Sequence, residues 1–256
     1  MFNPQKETSR IIKFIRLTLQ NQGFKKVVIA VSGGVDSATC LLLLAKAIKP
    51  KNITVLKLPY ANQDMSLADM VIKAVDIPKI NIFEVNIKPA VETIIRLNQG
   101  KKLEKSKIRL GNIMVRLRMV FLFDLAKKNH ALVCGTENKT EHLLGYFTRF
   151  GDEASDFEPI RHLYKTEVLK LAFYLDVPEK IISQAPTAGL WPGQTDEGEF
   201  GFSYKEADQV LKLYLEKKLK LKEIEKKGFT KTGKIISRVK QNLFKHQTPY
   251  SLSSRE

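Results

Sequence analysis

The chain has 256 residues, a formal net charge of +16, and 43% hydrophobic and 27% charged residues. That balance excludes a disordered or fibrous protein, no apolar run is long enough to span a bilayer, and the length suits a single α/β domain over residues 1–256. Lys6, Glu7 and Arg10 occur without a signal-peptide core, which predicts a cytoplasmic protein. Cys40 and Cys134 lie outside any CxxC and are expected as small buried residues.

Ile11, Ile12, Ile15 and Leu19 predict an amphipathic helix that ends near Gly23. Val27 to Val31 are five β-favouring apolar residues, a strand buried on both faces. Ser32-Gly33-Gly34 breaks that strand, and Asp36-Ser37 opens a helical run from Ala38 to Ala47. Ile53 to Leu58 is a second strand, closed by Pro59. Ser66 is expected to cap a helix through Val75, with Asp69 in the capping-box position. Asn81 to Ile87 reads as a third strand, and Pro89 starts another helix. Residues 98–106 are polar and read as a loose connection. A long helix covers roughly Ile108 to Asn129, and Ala131 to Cys134 is the next strand. Strands alternating with helices imply a parallel, doubly wound sheet, Rossmann-like and flanked by helices. Such sheets bind ligands at the carboxyl ends of their strands, where Ser32-Gly33-Gly34 and Gly135-Thr136 stand.

After Gly151 the character changes. Tyr164 to Leu175 is a helix, and Pro178 begins a short one. Pro186, Gly189, Pro192, Gly193, Gly198 and Gly201 make residues 185–202 a long loop of the kind that forms lids or binding loops. Extra helices complete the chain. Between Lys205 and Lys245 lysine alternates with Leu and Glu at helical spacing, the pattern of a solvated helix face rather than a nucleic-acid surface.

The strand, glycine turn and helix start form a phosphate cradle. Glycine lets backbone N–H groups approach a ligand closely, and the helix adds unpaired N–H groups and a positive dipole end. The spacing is not GxxxxGK[ST], a motif absent from the chain, which disfavours an ordinary P-loop enzyme. Asp36 points a carboxylate at bound phosphates, which makes sense with a cation between them. The competing reading is a tight turn with Asp36 as a helix cap. In Gly135-Thr-Glu-Asn-Lys-Thr-Glu141, Thr136 is placed to hydrogen-bond a nucleotide and Glu141 to add a second carboxylate, against a plain polar loop with a capping Glu. Asn112 and Arg116 share one face of the long helix while Arg118 points elsewhere. Arg116 is either a guanidinium held for a phosphate or carboxylate, or an ordinary surface arginine.

Ser32-Gly-Gly-Val-Asp-Ser37 resembles the pyrophosphate loop of the ATP pyrophosphatase superfamily, which cleaves ATP between its α and β phosphates. With Gly111-Asn-x-x-x-Arg-x-Arg-Met119, Gly135-Thr-x-x-x-x-Glu141, Gly145-Tyr-Phe-Thr-Arg-Phe-Gly-Asp152, Tyr164-Lys-Thr166, Ala185-Pro-Thr-Ala188 and Leu190-Trp-Pro-Gly-Gln-Thr-Asp-Glu197, nearly the whole chain resembles ammonia-dependent NAD synthetase. The resemblance implies ATP contacts at Ser32, Gly33, Gly34, Val35, Asp36, Ser37, Thr136, Lys165 and Thr187. It implies magnesium at Asp36 and Glu141, and deamido-NAD near Arg116, Arg149, Asp156 and Lys245. Asp36, Lys165 and Asp152 are the implied catalytic residues, with Asp152 orienting or deprotonating the amine. ATP is implied as co-substrate, ammonia as nitrogen source, and a homodimer as the assembly. The chain departs from the family pattern at Met114-Val115, at Arg149 and at Phe244-Lys245-His246. The alternatives are a tRNA-modifying ATP pyrophosphatase, favoured by the basic charge but lacking a CxxC, and a nucleotide-binding domain without turnover.

Overall fold

The computed structural model describes residues 2–98, 106–247 and 249–252; most of the predicted loose connection at 98–106 lies outside them. Helix α1 (Pro4–Asn21) leads into strand β1 (Lys26–Ala30) and helix α2 (Val35–Ala47). Strand β2 (Ile53–Lys57), helix α3 (Ser66–Ala74), strand β3 (Ile82–Glu84) and helix α4 (Lys88–Leu97) follow. Helix α5 (Lys107–Asn129) then returns to strand β4 (Ala131–Cys134). The four strands form one parallel sheet in the order β3-β2-β1-β4. The chain winds outward from β1 to β3 and then places β4 on the other side of β1. That reversal puts the switch point, where such sheets bind ligands, between β1 and β4.

Strand periodicity explains the layers, because successive side chains point to opposite faces. Val27 and Ile29 of β1, Ile53 and Val55 of β2, and Leu132 and Cys134 of β4 pack with α1, α2 and α3. Val28, Ala131 and Val133 meet Ala126 of α5, while Leu56 and Leu58 meet Val91 and Ile95 of α4 and Met114 of α5. Both faces are covered, so the strands read as continuous apolar runs. Both cysteines are buried and free.

Helix α6 (Lys139–Leu144) leaves the end of β4, and α7 (Lys165–Tyr174) packs back onto α2 beside the short α8 (Glu179–Ile182). The remaining helices are α9 (Asp196–Phe200), α10 (Tyr204–Leu211), α11 (Leu221–Glu225) and α12 (Thr232–Asn242). They build a second core around Phe200, Tyr204, Leu211 and Ile235, which includes Leu144 and Tyr164.

Two expectations are corrected. Ser66 does not cap α3 but is its first residue, because Asp64 accepts both the Ser66 N–H (2.8 Å) and its hydroxyl (2.7 Å). Asp69 instead pairs with the buried Lys57 (2.6 Å). The third strand is only three residues long. Val85 and Ile87 still donate to the carbonyls of Lys57 and Pro59 (both 2.9 Å), but Pro59 has no N–H to return, and the two-sided ladder stops.

Candidate active site

The glycine turn stands at the switch point with its fold already set. Gly33 adopts φ +88°, a left-handed conformation, and a Cβ there would lie 2.9 Å from the Leu67 Cβ and 3.0 Å from the Ala68 backbone nitrogen. Only glycine meets both demands. Ser37 ties the turn from inside: its hydroxyl accepts from the Ser32 N–H (3.3 Å) and donates to the Gly34 carbonyl (3.0 Å). Helix α2 starts at Val35, earlier than the composition suggested. Gly34 is its N-cap and offers no side chain, so the first-turn N–H groups keep their capacity for an anion. Asp36 lies in that first turn rather than capping it.

Three predicted residues meet in front of this turn. Lys165, the first residue of α7, is buried, with its side chain 3% exposed, and its Nζ pairs with Asp36 Oδ2 and with Glu141 Oε1 (3.0 Å). Burial opposes the charge on Lys165, but Asp36 and Glu141 outweigh it and raise its pKa, so the ammonium persists. Burial pushes Glu141 up to about 8, against the pull of Lys165 and with a further push from Asp36. Asp36 and Glu141 therefore share the Lys165 ammonium, and burial makes Glu141 hold a proton more readily than an ordinary carboxylate.

Neighbouring helices hold the three in place. Asn138 is the N-cap of α6: its Oδ1 accepts from the Glu141 N–H (3.0 Å), and its Nδ2 donates to Asp36 Oδ1 (3.1 Å). Thr140 donates to Asp208 Oδ1 (2.5 Å) and accepts from the Lys165 N–H (2.9 Å), while Asp208 Oδ2 takes the Thr166 N–H (2.8 Å). The Tyr204 hydroxyl lies within hydrogen-bond reach of Asp196 Oδ2 (2.9 Å) and Glu141 Oε1 (3.3 Å). Asp196 also accepts from Tyr146 (2.9 Å) and from the Ala188 N–H (3.1 Å), so the 185–202 segment is tied to the carboxylate cluster. That segment is not all loop, since it contains α9.

Sequence reasoning missed Asn138, Asp208 and Tyr204. Asn138 followed three residues later by Glu141 is itself a helix-start signal. Tyr204, Ala207, Asp208 and Leu211 fall on one face of α10, and an aspartate on an apolar face is a signal too.

The other predicted residues form a neighbouring group. Arg116 donates through Nε (3.3 Å) and Nη2 (3.2 Å) to the Arg149 carbonyl, and Asn112 accepts the Thr148 hydroxyl (2.9 Å). Arg118 indeed points elsewhere, to the Leu58 carbonyl and Gln63. The Arg149 guanidinium lies 5.6 Å from the Phe244 ring centre. Asp152 accepts the Thr148 N–H (2.7 Å), and Lys245 donates to the carbonyls of Gly145 (2.6 Å) and Phe147 (2.9 Å). Residues 145–152 thus gather Arg116, Arg149, Asp152 and Lys245. Asp156 takes the Val133 N–H (2.7 Å) beside β4. Thr136 is half-buried just past β4, and Thr187 is exposed, its hydroxyl accepting from the Gly189 N–H (3.0 Å).

Among the described residues no three His, Cys, Asp or Glu side chains converge as a metal cage. A pair of carboxylates facing one cation beside a phosphate cradle fits magnesium, which takes one or two carboxylates and completes its shell with phosphate oxygens and water.

A family profile described as NAD synthase matches residues 7–249. The NH(3)-dependent NAD(+) synthetase of Fusobacterium nucleatum is 37% identical over 243 residues, 94% of this chain and 93% of that protein. The solved NMN synthetase of Francisella tularensis superposes with a TM-score of 0.83 at 31% identity, covering 99% of this chain and 100% of that one. The NH3-dependent NAD synthetase of Campylobacter jejuni superposes with a TM-score of 0.80 at 29% identity, covering 98% and 100%.

Proposed function

The chain belongs to the NAD synthase family, and from that membership we infer that it is an ATP-dependent ligase that amidates deamido-NAD with ammonia, giving NAD, AMP and pyrophosphate. The observation that carries the reading is the meeting of Asp36, Lys165 and Glu141 in front of a pre-set glycine turn at the sheet's switch point.

An oxygen of the nicotinate carboxylate attacks the α-phosphorus of ATP, and the bond to the bridging oxygen of pyrophosphate breaks. The N–H groups of residues 33–37 and the Lys165 ammonium hold the phosphates that depart, in fixed positions that need no reorganisation as charge develops. Asp36 and Glu141 would hold magnesium, whose charge stabilises the leaving pyrophosphate. Ammonia then attacks the carbonyl carbon of the acyl-adenylate, the C–N bond forms, and AMP leaves with the C–O electrons. Asp152 takes a proton from the attacking nitrogen. Arg116, Arg149 and Lys245 bind the anionic dinucleotide, and Thr136 and Thr187 contact the ATP. Residues 185–202, tied through Asp196 and Tyr204 to Glu141, shield the adenylate from water.

The protein acts in the cytoplasm as a homodimer. No helix among the described residues is long and apolar enough to cross a membrane. Ile80, Leu97, Ile108 and Val120 are each between 53% and 84% accessible, apolar surface available to self-association.

Incubation with ATP, magnesium, deamido-NAD and ammonium tests the reading: NAD and AMP should appear in equal amounts. A second acceptor is favoured by the likeness to the Francisella NMN synthetase, namely the mononucleotide bearing the same nicotinate carboxylate. Competition between the two acceptors decides which is preferred. Family membership does not favour a tRNA-modifying enzyme.

A further inference from the structure

Beside the cluster just described, the carboxyl end of β4 buries a second pair of carboxylates that the mechanism does not use. The side chains of Glu137 and Glu158 are 5% and 4% exposed, and Glu137 Oε1 and Glu158 Oε2 have no hydrogen-bond partner. Glu137 Oε2 faces His142 Nδ1 (3.2 Å), and Glu158 Oε1 accepts the Ser155 hydroxyl (3.0 Å). Arg161 is the guanidinium placed between them, its Nε 3.6 Å from Glu137 Oε2 and 3.4 Å from Glu158 Oε2. It also donates to His142 Nδ1 (3.0 Å), so that nitrogen serves as an acceptor and gives Glu137 nothing. Burial keeps the imidazole neutral, with its pKa lowered to about 4.

Two carboxylates thus face one partly exposed guanidinium; Glu137 Oε1 has no donor at all, and Glu158 Oε2 has only the 3.4 Å ion pair with Arg161 and no hydrogen bond. Buried carboxylate oxygens left bare are costly, and what would satisfy them is a small monovalent cation carrying N–H donors. We propose that Glu137 and Glu158 form a capture site for ammonium, which supplies the nitrogen of the amidation step. The proposal rests on the reading of the protein as an ammonia-dependent ligase. The ligand chemistry follows from the donors. A third ligating side chain that would suit a divalent metal is absent among the described residues, whereas ammonium offers four N–H groups and one charge.

The location suits the role. Glu158 packs directly on Gly135, the first residue past β4, where a Cβ would lie 2.7 Å from its Oε1. Glu137 follows Thr136, assigned above to ATP. Asp152, assigned to the attacking amine, is near enough to raise the proton affinity of Glu137, as is Glu153, while Lys245 and Arg161 act the other way. Ammonium has no free lone pair until it loses a proton. Burial has lifted both glutamates to about 8, so either holds a proton far better than an ordinary carboxylate. Above about pH 8, where Glu137 is ionised, its Oε1 takes one N–H proton, leaving neutral ammonia with its electron pair, which attacks the acyl carbon as AMP departs.

Initial rates against ammonium concentration, at saturating ATP and deamido-NAD, test the site in wild type, Glu137→Gln and Glu158→Gln. Each variant loses an acceptor for ammonium, so the KM for ammonium should rise about tenfold or more in both; Glu137→Gln also loses the proton acceptor, so its kcat falls further than that of Glu158→Gln. Pyrophosphate release from ATP and deamido-NAD without ammonium reports the adenylating half-reaction separately. If wild type lacks that release, the reading as a ligase fails. If wild type shows it and both variants keep the wild-type KM for ammonium, the capture site alone is refuted. Should a variant not fold, wild-type crystals soaked in thallium(I), a heavy monovalent surrogate, carry the test. An anomalous peak between Glu137 and Glu158 supports the site, and none there overturns it.

Discussion

Asp208 ties together the helices that carry Glu141 and Lys165 without belonging to the cluster these form with Asp36. It lies on the buried face of α10, 2% exposed, and accepts the Thr140 hydroxyl (2.5 Å) and the Thr166 N–H (2.8 Å). Those donors belong to α6 and α7, the helices that carry Glu141 and Lys165. Asp208→Ala leaves both without an acceptor. A hydrogen bond to a charged group contributes about 1.5–3 kcal/mol, so the pair amounts to about 3–6 kcal/mol. Burial of the carboxylate, which raises its pKa, works in the other direction, so the lower end applies, a loss of about 3 kcal/mol. Urea unfolding measures it as a lower midpoint at unchanged m. Turnover should fall about tenfold, since small misplacements of positioned groups are costly. A stability loss below about 1 kcal/mol would refute the assignment of both bonds, and full turnover in a destabilised variant would refute the link from Asp208 to the cluster.

Gly33→Ala combines a left-handed backbone with a contact against the backbone of Ala68, and ATP affinity measured by calorimetry should drop at least about tenfold. Gly23→Ala shares the left-handed φ but meets nothing within 4 Å, so it should keep ATP affinity and lose about 1 kcal/mol of stability. Equal ATP affinity in Gly33→Ala and wild type would contradict the cradle. The pH dependence has a definite sign. Glu137 and Glu158 have folded-state pKa values raised from 4.5 to about 8, so their contribution to stability is fully present below the unfolded value and is lost as pH rises through the folded one. Without ammonium, the melting temperature should decline between about pH 5 and pH 8, and less in Glu137→Gln. A rise over that interval would contradict the burial of these groups.

The strands were legible because a sheet covered on both faces leaves unbroken apolar runs, and β4 falls at its predicted residues, Ala131–Cys134. Where prediction missed, a neighbour had intervened. Asp64 displaced Ser66 as the polar partner at the start of α3, and Pro59, read only as the end of β2, also cut short the ladder with β3. Asp36 and Glu141 were singled out by their local motifs, and Lys165 by the family resemblance. Their supports were not, because Asp36 meets Asn138 across 102 positions and Thr140 meets Asp208 across 68, and no local pattern encodes such a meeting. Glu137 lay within what read as a polar loop and Glu158 stood in no motif, and only the fold shows that both side chains are buried.

The central claim is that Asp36, Glu141 and Lys165 face the phosphates of ATP gripped by residues 33–37. A crystal structure with ATP and manganese, an anomalous stand-in for magnesium, tests it most directly. The account predicts a manganese peak bonded to Asp36 and Glu141, with the β and γ phosphates against the N–H groups of α2 and the Lys165 ammonium. A triphosphate lying away from the glycine turn, or a metal that touches neither carboxylate, would contradict it.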